Sequence, residues 1–192
     1  MDFTISLPDW AEAELAKAPE FLPQVEDRMA LVIRFARLNF QNATGGPFAA
    51  GIFERGTGKL VMVGVNRVVP TCCSSAHGEV VALGLAQKKL GTFDLGGPGL
   101  PEHEIVINWN TCAMCYGAVL WSGIRSVVIA GSGPEMEEIT GFDEGPLHPD
   151  WRGEYARRGI EFREGVLQEE ALEAFREFAA SGSPVYNGRG GA

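Results

Sequence analysis

Four side chains in two short segments have the types and spacing of a metal site with an acid–base partner. His77 and Glu79 lie two positions apart, and Cys112 and Cys115 lie three positions apart. An imidazole and two thiolates are ligands that suit zinc. Three protein ligands leave the fourth tetrahedral position open for water, which is typical of a catalytic rather than a structural site. Glu79 is not needed as a ligand and can serve as a general acid/base beside the metal.

Each half of this pattern has a simpler interpretation when it stands alone. Cys-x-x-Cys also occurs in structural zinc sites and redox pairs, and His-x-Glu often arises by chance. Together and in this order, at two predicted helix starts, they match the signature of zinc-dependent base deaminases. Zinc in such a site lowers the pKa of its water towards ~7. The adjacent Cys72 and Cys73 are interpreted as small loop or core residues, and the metal does not require them.

The sequence predicts helices and strands that alternate along the chain. A 3.6-residue apolar period predicts a helix over 25–42, and two apolar runs around a Gly-Thr-Gly turn predict a hairpin. The hairpin strands are 48–54 and 60–66, the later strands are 104–108, 126–130 and 160–162, and the later helices are 77–90, 112–123, 151–158 and 168–179. This alternation predicts a three-layer α/β fold. Thr111 is the expected N-cap of helix 112–123.

The length and composition are those of one globular domain spanning residues 1–192. Residues 1–24 are predicted to form an irregular N-terminal arm, and 180–192 a C-terminal tail. The two cysteines lie one helical turn apart, so their sulfurs can face one ion. The positive ends of the two helix dipoles would favour thiolate and carboxylate charge at this place.

The charge balance disfavours several classes of partner. A net charge of −9 argues against a broad phosphate-binding surface, so we expect no nucleic-acid partner. We expect no membrane partner either, because apolar runs fall short of the ~18 residues that span a bilayer. The first eight residues lack the layout of a signal peptide, and four cysteines do not resemble a secreted disulfide framework. These features predict a cytoplasmic location.

Further motifs extend the match to most of the chain. They are Gly45-Gly46-Pro47-Phe48, Asn66-Arg67-Val68-Val69-Pro70, Gly117-Ala118-Val119-Leu120-Trp121-Ser122-Gly123, Gly141-Phe142-Asp143-Glu144-Gly145-Pro146 and Tyr186-Asn187. With these motifs the chain resembles the cytidine/deoxycytidylate deaminase superfamily, and within it the bacterial guanine deaminase branch. The resemblance implies an α/β/α cytidine-deaminase-like fold with a mixed central sheet. It also implies one Zn²⁺ per subunit, held by His77, Cys112 and Cys115.

The resemblance implies roles for five further residues around a purine pocket. Asn66 would hydrogen-bond the base, and Phe48 and Phe142 would pack against its ring. Glu144 resembles the second acidic group, which shuttles protons to the departing amine. Tyr186 resembles the residue that closes the pocket. In that branch the tail can be exchanged between subunits, which implies a homodimer with or without domain swapping.

Four of these residues also have a structural interpretation. Phe48 and Phe142 could be core aromatics, Asn66 could cap the turn after a strand, and Glu144 could be a solvated loop carboxylate. Trp121 is assigned to the buried face of its helix.

The sequence departs from the superfamily pattern close to the predicted metal. Gly78 stands where alanine is usual, and Asn110 and Thr111 replace the usual Glu-Pro. Asn108 and Trp109 are bulkier than the small residues expected before them. Asn110 is therefore a candidate substrate-binding residue, because exchanging a carboxylate for an amide can change which heterocycle is accepted by orders of magnitude.

Three functional hypotheses follow. The first is hydrolytic deamination of guanine to xanthine and ammonia. The second is the same chemistry on another amino-heterocycle, such as a pterin, a triazine, a modified purine or a pyrimidine nucleoside. The third is a catalytically silent, zinc-stabilised binding protein, which the presence of both Glu79 and Glu144 disfavours.

Overall fold

A five-stranded sheet lies at the centre of the structure, a computed structural model that describes residues 4–188. Its strands are β1 (Ala49–Glu54), β2 (Leu60–Val65), β3 (His103–Ile107), β4 (Ser126–Ile129) and β5 (Glu161–Arg163). They lie in the order β2-β1-β3-β4-β5. β1 pairs antiparallel with β2 and β3, whereas β3, β4 and β5 run parallel. The predicted mixed sheet is therefore confirmed.

The helices of residues 4–188 include all those expected from the sequence and three more. They are α1 (Asp9–Leu15), α2 (Val25–Gln41), α3 (Val68–Thr71), α4 (Gly78–Leu90), α5 (Ala113–Trp121), α6 (Glu135–Thr140), α7 (Trp151–Arg157) and α8 (Gln168–Ala180). The short helices α1, α3 and α6 were not predicted. No helix in this described range is long and apolar enough to cross a lipid bilayer.

The prediction of an irregular arm over residues 1–24 is wrong for its middle part. Pro8 is the N-cap of α1, and Asp9 and Glu12 in the first turn complement the helix dipole. Ala11 is fully buried, and the Trp10 indole N–H donates to the Thr44 hydroxyl at 2.9 Å. Packing against the domain therefore stabilises a helix too short to form alone. Residues 1–3 and the tail beyond 188 lie outside the described residues.

Helices cover both faces of the sheet. Alternate residues of β4 separate the two cores, since Val128 packs in one and Val127 and Ile129 pack in the other. The first core also holds apolar residues of α1, α2 and α8, and the second holds residues of α4, α5 and α7. This is the predicted three-layer arrangement.

A buried ion pair ties α2 to the start of β3. Arg28 Nη1 donates to Glu104 Oε1 at 2.6 Å, and both side chains are more than nine-tenths buried. The Ser126 hydroxyl donates to the other carboxylate oxygen at 2.7 Å. Both oxygens of this buried carboxylate are therefore satisfied. The pair lies at the opposite end of β3 from the two cysteines.

A close contact between β2 and α4 sets the position of the first turn of that helix. A Cβ atom on Gly64 would lie 2.2 Å from the backbone nitrogen of Ala82 and 2.4 Å from the carbonyl oxygen of Gly78. Only glycine allows the helix to approach the strand this closely. The approach carries His77, immediately before α4, towards the start of β1 and the end of β3.

Candidate metal centre and active site

The starts of two helices bring the three predicted metal ligands together. His77 is the N-cap residue of α4, Cys112 is the N-cap residue of α5, and Cys115 lies in the first turn of α5. Nδ1 of His77 lies 3.5 Å from Sγ of Cys112. The nitrogen and the two sulfurs all lie within 4.8 Å of one another.

This geometry fits a tetrahedral zinc ion. With Zn–N near 2.0 Å and Zn–S near 2.3 Å, neighbouring donors of a tetrahedron lie roughly 3.5 Å apart, which matches the observed nitrogen–sulfur distance. Cys112 and Cys115 are buried, whereas His77 reaches the cavity described below. The three residues could hold the ion from the protein side and leave its fourth position facing that cavity.

The cap of α5 differs from the prediction. The backbone N–H of Cys115 donates to Sγ of Cys112 at 3.4 Å, so Cys112 and not Thr111 caps the helix. The helix begins at Ala113, one residue later than expected, which moves the cap position onto the cysteine. Within residues 4–188 the buried Thr111 hydroxyl has no hydrogen-bond partner.

The ligand side chains compete for protons. Hydrogen bonding from Cys115 lowers the pKa of Cys112 to about 4, against the effect of burial, and His77 adds to the lowering. The same Cys112–Cys115 bond, together with burial, raises the pKa of Cys115. Burial alone would lower the pKa of His77, but its bond to Cys112 and the charge of Glu79 raise it to about 9. A divalent cation would replace these protons and leave both sulfurs as thiolates.

Two carboxyl groups face the same region and hold their protons more tightly than usual. Burial raises the pKa of Glu79, and the negative charge of Cys112 raises it further. Burial also raises the pKa of Glu144 to about 8, with the charge of Glu79 contributing. Two neighbouring carboxyls whose pKa values are raised by burial are suited to exchange protons with a group in the cavity.

The loop that carries Glu144 is attached to the start of α5. The backbone N–H of Glu144 donates to Oε1 of Glu137 at 3.0 Å, and its carbonyl accepts from the Ala113 N–H at 3.4 Å. The backbone of Glu144 is thus fixed beside the two cysteines, while its side chain lines the cavity.

A cavity of about 120 Å³ opens above His77 and Glu79. The other predicted site residues that line it are Phe48, Asn110, Phe142, Glu144 and Tyr186. Residues without a predicted role complete the wall: Val68, Ser74, Ile107, Trp109, Asp143, Asn187 and Gly188. The structure therefore gathers most of the predicted side chains around one space.

Aromatic rings form one wall of this cavity. The Phe48 and Phe142 rings meet edge to face at 5.1 Å, and Phe142 meets Tyr186 in the same way at 5.1 Å. Phe48 also packs on the fully buried Phe175 at 5.7 Å. The rings of Phe48 and Phe142 therefore pack in the core and also border the cavity.

Asn66 lies differently from the other predicted site residues. It is buried and does not belong to the residues that line the cavity in the described part of the chain. Its Oδ1 accepts from the backbone N–H groups of Gly46 at 3.4 Å and Val68 at 3.3 Å, and its Nδ2 donates to the Tyr186 hydroxyl. The bond to Val68 agrees with the structural interpretation of Asn66, in which its side chain caps the turn after a strand.

The described part of the C-terminal tail folds over the cavity of its own chain. Asn187 Oδ1 accepts from the backbone N–H of Asp143 at 3.0 Å, and its Nδ2 donates to the Gly141 carbonyl at 2.9 Å. Asn187 thus fixes the tail to the loop of Glu144. The Tyr-Asn motif was the available signal for this residue, but only its tyrosine was assigned a role.

Two other expectations concern residues outside this cavity. Cys72 is exposed, and Cys73 contacts the Ser75 hydroxyl at 3.2 Å, so both are loop residues apart from the metal cluster. The assignment of Trp121 to a buried helix face is wrong, because its side chain is 89% exposed. α5 is apolar all round, and it turns Cys115 and Val119 inward instead.

Comparison with known proteins is consistent with this geometry. Residues 23–131 match the family model of the cytidine and deoxycytidylate deaminase zinc-binding region. The chain is 30% identical over 137 residues to the guanine deaminase of Bacillus subtilis, covering 70% of this chain and 83% of that protein.

Two solved structures are similar over nearly the whole chain. One is described as guanine deaminase from Nitrosomonas europaea, with 45% identity, a TM-score of 0.88, and coverage of 93% of this chain and 97% of that one. The other is the protein NE0047 in complex with 2,6-diaminopurine, with 45% identity, a TM-score of 0.88 and coverage of 96% of both chains. The resemblance predicted from the sequence motifs is confirmed.

Proposed function

The chain belongs to the cytidine and deoxycytidylate deaminase family, and on this premise we propose that it hydrolyses guanine to xanthine and ammonia. One observation carries the proposal: the metal-fitting cluster of His77, Cys112 and Cys115 lies beside the buried Glu79, at an aromatic-lined cavity. Two proteins similar to this chain are named guanine deaminases, and this similarity supports guanine as the substrate.

In the proposed reaction the amino-bearing carbon of guanine is attacked by the oxygen of a water molecule. Bound zinc would supply a water acidified towards neutral pH. The Glu79 carboxylate accepts a proton from this water and delivers it to the neighbouring ring nitrogen. The new C–O bond forms as the ring C=N bond opens, giving a tetrahedral carbon.

The second half of the reaction releases ammonia. Glu144, a carboxyl whose pKa is raised by burial, donates a proton to the amine. The C–N bond breaks, and the remaining hydroxyl proton is lost as the C=O group forms. Guanine and water are thus converted to xanthine and ammonia, with both carboxyls returned to their starting protonation after solvent exchange.

Aromatic and amide groups would hold the base. Phe48 and Phe142 offer apolar ring contacts, and Tyr186 and Asn187 close the cavity from the tail. We propose that Asn66 binds the base after the hydrogen bond from its Nδ2 to the Tyr186 hydroxyl breaks. This exchange would link substrate binding to movement of the tail.

Asn110 is the proposed specificity residue of this site. It lines the cavity with Glu144, at the position where the family usually has a glutamate. An amide presents both a donor and an acceptor, so it can select a heterocycle edge that a carboxylate would reject. Replacing Asn110 with Glu should change the ratio of rates on guanine and other amino-heterocycles.

We also propose that the working form is a homodimer, with or without exchange of the C-terminal tail between the subunits. Trp121 is 89% exposed and Met114 40% exposed on the outer face of α5. Such a face suits contact with a second copy.

The proposal is tested by measuring ammonia release and products from guanine, other purines, pterins, triazines and pyrimidine nucleosides. Turnover of guanine to xanthine, abolished in Glu79→Ala with zinc retained, is the expected result. Turnover of cytidine without any of guanine would overturn the substrate assignment. Stoichiometric zinc with no ammonia from any compound would favour a silent binding protein instead.

A further inference from the structure

The segment that carries Phe48 into the cavity wall is an irregular loop joined to the start of β1. Its peptide groups are bound mainly by asparagine side chains. Asn39 Nδ2 donates to the Gly46 carbonyl at 2.9 Å, and the backbone N–H of Asn66 donates to the Phe48 carbonyl at 2.9 Å. The position of the Phe48 ring therefore depends on buried asparagine side chains as well as on the β1–β2 backbone pairing, which continues through the Phe48 carbonyl.

Asn108 holds this segment most directly. Its Oδ1 accepts from the Ala49 N–H at 2.9 Å, and its Nδ2 donates to the Pro47 carbonyl at 2.9 Å. These two groups belong to the residues immediately before and after Phe48. Asn108 itself is fully buried, so water cannot replace either bond. A residue with a shorter side chain could not reach both groups.

Gly78 meets the same segment from the side of α4. A Cβ atom at this position would lie 3.0 Å from Cα of Ala49 and 3.2 Å from the carbonyl oxygen of Phe48. These neighbours are backbone atoms and could make room only if the segment moved away. Gly78 and Asn108 are also two of the positions where the sequence departs from the superfamily pattern. Both departures thus act on the loop at Phe48.

We propose that Asn108 is a positioning residue that fixes Phe48 in the cavity wall, and that Gly78 provides the space which this position requires. The inference rests on the proposed function, because it assigns Phe48 to the wall that contacts the base. Because the Phe48 ring would contact the base and not the reacting atoms, we expect its contact to contribute about equally to binding in the ground and transition states. Its displacement should therefore raise KM more than it lowers kcat.

The first test compares Asn108→Ser with Ser126→Ala, using guanine as substrate. We expect Asn108→Ser to raise KM about tenfold or more and to change kcat by less than threefold, with zinc content unchanged. Ser126→Ala also removes a buried hydrogen bond, but at the opposite end of the sheet. It should lower thermal stability and leave KM unchanged. Equal KM values for Asn108→Ser and the parent would overturn the inference, as would an equal rise in Ser126→Ala.

The second test uses Gly78→Ala, which adds one methyl group and leaves both hydrogen bonds of the Asn108 side chain possible. We expect this variant to raise KM as well, and the Gly78→Ala/Asn108→Ser double variant to raise it by less than the product of the single effects. Multiplicative effects on KM would refute a shared action of the two residues on one loop. This arm also covers the case in which Asn108→Ser does not fold.

A structural readout separates the inference from the proposed function. Crystal structures of the parent and Gly78→Ala without substrate should differ in the backbone of residues 47–49 and in the Phe48 ring. Failure of the parent to deaminate guanine would reject the substrate assignment and leave this comparison valid. An unmoved Phe48 would reject the positioning role even if guanine is the substrate.

Discussion

The exposed tryptophan on α5 gives the sharpest prediction about assembly. Trp121 is 89% exposed in the single chain, and we expect Trp121→Asp to dissociate the proposed homodimer. Burying about 150 Å² of an indole is worth roughly 4 kcal/mol at about 25 cal/mol per Å². A two-fold interface buries the side chain of each subunit, so about 8 kcal/mol is the upper limit.

The measurable effect is smaller than this limit. Association costs and imperfect packing remove a large share of the free energy gained by burying the two indoles. We expect Trp121→Asp to weaken the dimer by about 4 kcal/mol, which is about a thousandfold increase in its Kd. Sedimentation velocity over a concentration series from nanomolar to micromolar would measure the shift. The matched control is Phe21→Asp, since Phe21 is 51% exposed beside α2 on the opposite face of the sheet. It should leave the Kd unchanged.

Two outcomes would refute this reasoning about α5. One is a parent protein that sediments as a monomer at every concentration. The other is a Trp121→Asp variant with the parent's Kd. Either result would mean that the apolar outer face of the helix is not an interface between copies.

Three further predictions concern chemistry and stability. Glu79→Gln should lower kcat by about 10²- to 10⁴-fold while zinc, measured by atomic absorption, stays bound; a fall below tenfold would contradict its acid–base role. Arg28→Ala should lower the free energy of unfolding, measured with urea, by about 3–5 kcal/mol because it leaves the buried Glu104 carboxylate unpaired. Arg163→Ala breaks an exposed ion pair and should lower it by at most about 1 kcal/mol. Equal losses in the two variants would contradict the burial argument. Hydrogen bonding to Ser75 lowers the pKa of the Cys73 thiol, so Ser75→Ala should raise this pKa. Alkylation of Cys73 by iodoacetamide at pH 7, measured by mass spectrometry, should then be slower. An unchanged alkylation rate would exclude that hydrogen bond.

The fold could be predicted from the sequence because its signals are local, and the metal cluster because its two segments, 35 positions apart, together match a known signature. Alternating apolar runs and turn residues mark the strands and long helices, and Cys112 and Cys115 share one helical turn. The short helix α1 could not be predicted in this way. Its stability comes from burial of Ala11 and from the bond between Trp10 and Thr44, which lie far apart in sequence.

The errors within the site have similar physical causes. The segment of α5 is apolar on every side, so its sequence does not reveal that Trp121 faces outward. The cap of this helix fell on Cys112 because the helix starts one residue later than the hydroxyl of Thr111 suggested. The surroundings of Asn66 depend on a tail that returns from the other end of the chain.

We propose that His77, Cys112 and Cys115 hold the metal that makes deamination possible. The most direct test removes metal with a chelator and titrates zinc back while xanthine formation from guanine is measured. Activity should rise in proportion to added zinc and reach its plateau at one ion per chain, with binding lost in Cys112→Ser. Full guanine turnover by protein that contains no zinc or other divalent metal would contradict the account.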